Sequence, residues 1–246
     1  MKFGTEGAAH GGTEIGGERH RRRACGGYPK KLSFDETFNW LNFIGGGGWF
    51  MKKHNGFLVL VGLVGVVWLM TVIGGFFVLA KEAYTPVAKS EVAADFPVDS
   101  KVRLAAGKST LVIFFHPQCP CSRASLRELD EVLGETQGKL AVVAVFTVPA
   151  GEPSGWEKTD LWNSASAMPG VAVLRDGDGQ EARRFGVKGS GHALLYSPEG
   201  RLLFSGGITA SRGHEGDNDG HTAIVDFVMQ GSSSVTRTPV FGCSLL

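Results

Sequence analysis

An excess of charge of either sign is missing from this chain. Its 25 Lys and Arg almost cancel its 24 Asp and Glu, leaving a net charge of +1. The concentrated basic face of a nucleic-acid binder is therefore not expected. Cysteine is scarce too: four residues in 246, too few for a disulfide scaffold. No Ser-His-Asp constellation, Walker loop or dinucleotide fingerprint occurs, because the glycine pairs do not follow a strand at the required spacing. Asp176-Gly177-Asp178-Gly179 resembles the start of a calcium loop, but it lacks the spaced ligands and closing glutamate and reads as a turn. The most telling absence is local. No Asp, Glu, Lys or Arg occurs between Lys53 and Lys81.

That uncharged run, residues 57–80, is long enough to cross a bilayer, which takes about 20 apolar residues. A soluble core helix is rarely apolar on all faces for so long. Lys52 and Lys53 precede it, and the charge bias puts the N-terminus in the cytoplasm and the rest outside. A cleaved signal peptide ending near Val78-Leu79-Ala80 is the alternative. The run exceeds the roughly 7–15 residues of a signal core, which favours an uncleaved anchor.

Residues 1–50 carry Gly-rich stretches and a basic run around Arg21 with no sustained period, the composition of a disordered extension. Met51-Lys52-Lys53 before an apolar run is also how exported proteins begin, so the extension could be a mis-assigned start, with Cys25 irrelevant. Residues 81–100 read as a linker, 101–230 as the globular domain, and 231–246 as a tail containing Cys243.

The remaining cysteines are concentrated where the domain's patterning changes. Leu111 to Phe115 is an apolar run of buried-strand type. Leu126, Leu129, Val132 and Leu133 then follow helical spacing. Between them stands Cys119-Pro120-Cys121. Proline suits the first position of a helix and pushes the preceding residue into extended geometry. Cys119 is thus expected at the N-cap, its thiolate favoured by the free N–H groups of Cys121 and Ser122. Cys121, inside the first turn, is expected to be the less exposed thiol. A second buried strand at Leu140 to Phe146 makes a parallel βαβ unit. Helices follow at 156–168, 180–185 and 221–229, with a strand at 171–174 and a hairpin at 193–204.

Strand, Phe114-Phe115-His116-Pro117-Gln118-Cys119-Pro120-Cys121, then helix resembles the active-site turn of the thioredoxin-like superfamily, with one residue fewer between the cysteines. Ser122-Arg123-Ala124-Ser125, the later Gly206-Gly207-Ile208-Thr209 loop with Ser211-Arg212-Gly213-His214, and the terminal Phe241-Gly242-Cys243 are similar to the membrane-anchored RedB-type bacterial redoxins. The resemblance implies an α/β fold, a central mixed β-sheet flanked by helices, here preceded by one transmembrane helix. It also implies a cis-proline before the hairpin, but Gly191 stands there, between Ser190 and His192, which leaves more room over the sulfurs.

The function expected is a membrane-anchored thiol–disulfide oxidoreductase in the periplasm or other extracytoplasmic space, acting on protein thiols or disulfides with no small-molecule cofactor. Cys119 attacks, and Cys121 resolves unless the tail brings Cys243 back over the site. A Cys119–Cys121 bond closes a small, strained ring that is easier to reduce, which points to an oxidant or isomerase. The alternative is a copper-binding module like the Sco chaperones, with Cys119, Cys121 and one of His192, His214 or His221 as soft ligands for Cu(I). A peroxiredoxin turn does not fit, since Pro117 lies only two residues before Cys119. The Gly-rich, charged stretch 206–220 is of the kind that carries function.

Overall fold

The computed structural model describes residues 50–245, with side chains from residue 55. The N-terminal extension and Cys25 lie outside the described residues. The chain divides into two units, Met1–Leu63 and Val64–Leu246, and the boundary falls within the first helix, α1 (Phe50–Ala83). Of the first unit, the described part is the beginning of α1. Within Asn55–Ala83 an 18-residue stretch has a mean hydropathy of 2.6, and none of that stretch is buried. By length and composition this helix can cross a membrane.

The second unit builds a five-stranded sheet. Its elements after α1 are β1 (Ser109–Phe115), α2 (Ser122–Thr136), β2 (Leu140–Val148), α3 (Asp160–Ala167), β3 (Val171–Gly177), α4 (Gln180–Phe185), β4 (His192–Tyr196), β5 (Leu202–Gly207) and α5 (Asp219–Gln230). The strand order is β3-β2-β1-β4-β5. The first three strands run parallel, and β4 and β5 are antiparallel to their neighbours. This mixed sheet is the thioredoxin-like arrangement expected. β1 is central and buried in six of its seven residues. Leu111, Ile113 and Phe115 join the core cluster that holds Leu126 and Leu129 of α2 and Ile224 of α5. Val112 and Phe114 point to the other face, with Phe185 and Tyr196, as a period of two demands.

Three segments differ from expectation. The helix expected from residue 156 starts at Asp160, after Thr159, whose hydroxyl donates to the Pro117 carbonyl across the site turn (3.0 Å). β3 continues to Gly177, and the Asp176 carboxylate then accepts the N–H groups of Glu181 and Ala182 (2.8 and 3.0 Å), capping α4. This residue of the calcium-like sequence therefore serves a turn into a helix. The third segment is 81–100, read as a linker. Its part from Val87 onward is folded onto the domain: Val87 N–H donates to Val240, Phe96 N–H to Gly200, and Leu202 N–H to Ala94. Phe96 packs edge-on against Phe185 and Tyr196, at centroid distances of 5.4 and 5.2 Å. One aromatic among polar residues gave no period to read, yet it closes one face of the sheet.

Candidate functional site

The carboxyl end of β1 opens into a turn in which Cys119 N–H donates to the His116 carbonyl (3.0 Å) and Ser122 N–H to the Cys119 carbonyl (3.1 Å). This turn delays the helix. α2 begins at Ser122, so Cys121 rather than Cys119 occupies the N-cap, in αR geometry and without a side-chain cap. Pro120 stands outside the helix instead of at its first position. The exposure ranking is also reversed: Cys119 is 3% exposed and Cys121 is half-buried. A second segment explains why.

The tail returns to the site. Ser190 N–H donates to the Cys243 carbonyl (2.8 Å) and Leu245 N–H to the Lys188 carbonyl (2.9 Å), an antiparallel bridge centred on Gly189 and Ser244. The Cys243 sulfur thereby lies 2.8 Å from that of Cys119. All three cysteines are free thiols. Two glycines shape the backbone beside the sulfurs. Gly191, at φ +83°, gives its N–H to the Phe114 carbonyl (2.7 Å), a bond proline cannot make. Gly242 passes so close that a Cβ there would lie 2.0 Å from the Ser190 carbonyl oxygen.

The electrostatics single out one thiol. Burial alone would push the Cys119 pKa up. It is nevertheless lowered, because the Cys243 thiol, then the Ser122 hydroxyl, then the Cys243 and Ser122 backbones hydrogen-bond to its sulfur. Burial and the Cys119 charge push Cys121 up. Burial, the hydrogen bond to Cys119 and repulsion by negative charge on Cys119 or Cys121 push Cys243 up to about 12, against a smaller opposite pull from Arg212. The cluster therefore favours negative charge on Cys119 over Cys121 or Cys243, with the Cys243 thiol placed to donate to it. A lowered pKa was expected from sequence, but its sources differ: a tail thiol and a hydroxyl contribute more than a helix-cap backbone.

Two buried serines extend this arrangement, and sequence reasoning missed both. His116 N–H donates to the Ser190 hydroxyl oxygen (2.8 Å), which lies 2.6 Å from that of Ser122. Ser190 accepts from the backbone, so its proton is available to Ser122, and that of Ser122 to the Cys119 thiolate. His116 packs edge-on against Trp156 at 5.6 Å and walls the turn. Arg212, from the loop after β5, acts electrostatically on Cys121 and Cys243, giving that charged loop a place at the thiols.

Two of the three histidines of the copper alternative are engaged elsewhere. His192 is buried against the Ser205 hydroxyl (2.9 Å). The two ring nitrogens of His221 lie 3.0 and 3.1 Å from carboxylate oxygens of Glu128 and Glu135. His214 is exposed. Among the described residues, the group whose ligand atoms cluster as a metal site would is Glu128, Glu131 and His221, without a cysteine. Glu128 accepts from Gly216 N–H (2.6 Å) and Asn218 Nδ2 (3.2 Å), and so fixes the loop before α5.

Neither a family model nor a curated protein matches this chain. Similar solved structures include a hypothetical protein of Sinorhizobium meliloti 1021, with 24% identity, 65% of this chain and 95% of that one covered, and a TM-score of 0.49. Others are ScoI of Arabidopsis thaliana with copper bound (16% identity, 51% and 83%, TM-score 0.37) and the exposed lipoprotein thioredoxin Etrx1 of Streptococcus pneumoniae (22%, 56% and 98%, 0.39). The fold stands on the strand order and register described above.

Proposed function

We propose that this chain is a membrane-anchored thiol–disulfide oxidoreductase of the RedB-type redoxin kind, with Cys119 as the attacking thiol and Cys243 as its resolving partner. The observation that carries the reading is the 2.8 Å approach of the two free sulfurs across 124 residues of sequence. Its chemistry is a two-electron exchange. The Cys119 thiolate attacks one sulfur of a protein disulfide; that S–S bond breaks, and the departing sulfur leaves as a thiolate that takes a proton. A mixed disulfide remains. Cys243, losing its proton, then attacks the Cys119 sulfur and expels the second substrate thiol. The substrate is reduced and a Cys119–Cys243 disulfide is formed; the same steps in reverse oxidise a substrate dithiol. Cys121, half-buried beside them, is the alternative resolving thiol. With the N-terminus of α1 in the cytoplasm, the site faces the extracytoplasmic space. Among the described residues no imidazole joins the sulfurs in a metal-like cluster, and metal content after purification with added Cu(I) separates the two.

The test is substrate trapping with single Ser variants. Cys119→Ser abolishes exchange with a disulfide substrate. Cys243→Ser accumulates a mixed disulfide on Cys119, and adding Cys121→Ser prolongs it. Undiminished turnover by Cys119→Ser overturns the reading.

A further inference from the structure

The segment that covers Cys119 is built as a bound strand. Phe241, Cys243 and Leu245 alternate with Gly242 and Ser244; the chain bends at Gly242 and pairs at Ser244 with Gly189. Phe241 and Leu245 are buried, and Leu245 packs in the core cluster of Phe114, Phe185 and Tyr196. Two backbone hydrogen bonds to Lys188 and Ser190 set the register. The tail approach leaves no volume for a side chain before the cysteine, since the Gly242 position abuts the Ser190 carbonyl. The groove therefore reads four things: a chain that bends before the cysteine and pairs as a strand from it onward, a large apolar residue two before the cysteine, glycine immediately before it, and an aliphatic residue two after. A substrate strand that brings a sulfur to Cys119 meets the tail already there.

We infer that the C-terminal tail is a resident ligand of the redox site, and that the protein's partners are extended polypeptides whose cysteine sits in the same setting, displacing the tail in order to react. This specificity rests on the oxidoreductase reading above. It also orders the cycle. The strand enters as the tail leaves, Cys119 forms the mixed disulfide, and the returning tail both expels the substrate thiol through Cys243 and reoccupies the groove. Main-chain pairing supplies affinity and the alternate pockets supply selectivity, as in other strand-addition sites.

The test uses the reduced full-length wild-type protein and synthetic peptides whose cysteine is joined to 2-thiopyridine. Attack of Cys119 on the peptide sulfur breaks that disulfide, joins peptide to protein and releases pyridine-2-thione, which is read by absorbance. One peptide has the tail's own sequence, Val-Phe-Gly-Cys-Ser-Leu-Leu. In a second, the Phe and the first Leu are Ser; in a third, the Gly is Val. The tail-sequence peptide is expected to react at least tenfold faster than either, and an unreactive version with Ser for Cys is expected to slow it competitively. Equal, rapid reaction of all three overturns the tail-groove inference while leaving the oxidoreductase standing. No reaction faster than that of free cysteine with any peptide overturns both. Neither outcome depends on a variant folding.

Discussion

Cys119 owes its character to hydrogen bonds more than to its neighbour in sequence. Its sulfur is almost out of contact with water, where a thiolate is costly, and four hydrogen bonds from Cys243 and Ser122 reverse that cost. Hydrogen bonds to charged groups are worth about 1.5–3 kcal/mol. Ser122→Ala removes the hydroxyl and is expected to lower the alkylation rate of Cys119 near pH 7 by about tenfold, with a smaller change as pH rises toward 10. Ser190→Ala moves the profile the same way but less, because Ser190 acts through Ser122. The measurement is the rate of iodoacetamide labelling against pH, read by mass spectrometry. A profile unchanged in Ser122→Ala contradicts this account of the thiol. The cysteines were visible in the sequence because a Cys-Pro-Cys at a strand-to-helix junction has few structural uses. Ser122 and Ser190 were not, because serine is common in turns and their pairing spans 68 residues.

At the scale of elements, the β4–β5 hairpin carries a buried histidine that the cysteine cluster does not explain. His192 pairs with Ser205 across the strands, and burial, with a smaller push from Arg237, lowers its pKa from 6.5 to about 4. Folding thus keeps the ring neutral. Its contribution to stability is whole above about pH 6.5, declines as pH falls and is lost at about pH 4, an effect of about 3 kcal/mol. Denaturant midpoints of the wild type are expected to fall through this window, and those of His192→Asn to fall less. Parallel pH profiles contradict it. Here the sequence was informative for β1, α2 and β2, whose apolar periods are uninterrupted. It misplaced the start of α3, because the bond from Thr159 to Pro117 comes from another segment. It misread the start of α2 because Pro120 permits a turn as well as a first helical position.

For the whole molecule, one hydrophobic run and one returning tail decide how the chain works. The apolar helix α1 was plain from the absence of charge. Its orientation is a matter of flanking lysines, and a reporter fused after Leu246 is expected to be active only if it functions outside the cytoplasm; activity of a cytoplasm-only reporter reverses the topology. The tail's docking was not apparent, because its specificity lies in backbone pairing and in Phe241 and Leu245, two apolar residues too isolated to form a period. Cys243 therefore appeared as one alternative partner, where the fold brings its sulfur to 2.8 Å from that of Cys119. The pairing itself is the most direct test. Oxidised full-length protein, alkylated and digested with trypsin without reduction, is expected to yield the 109–123 peptide joined to the 238–246 peptide, and to do so equally in Cys121→Ser. Recovery of 109–123 as a singly closed Cys119–Cys121 loop, with the 238–246 peptide alkylated at Cys243, would contradict the account.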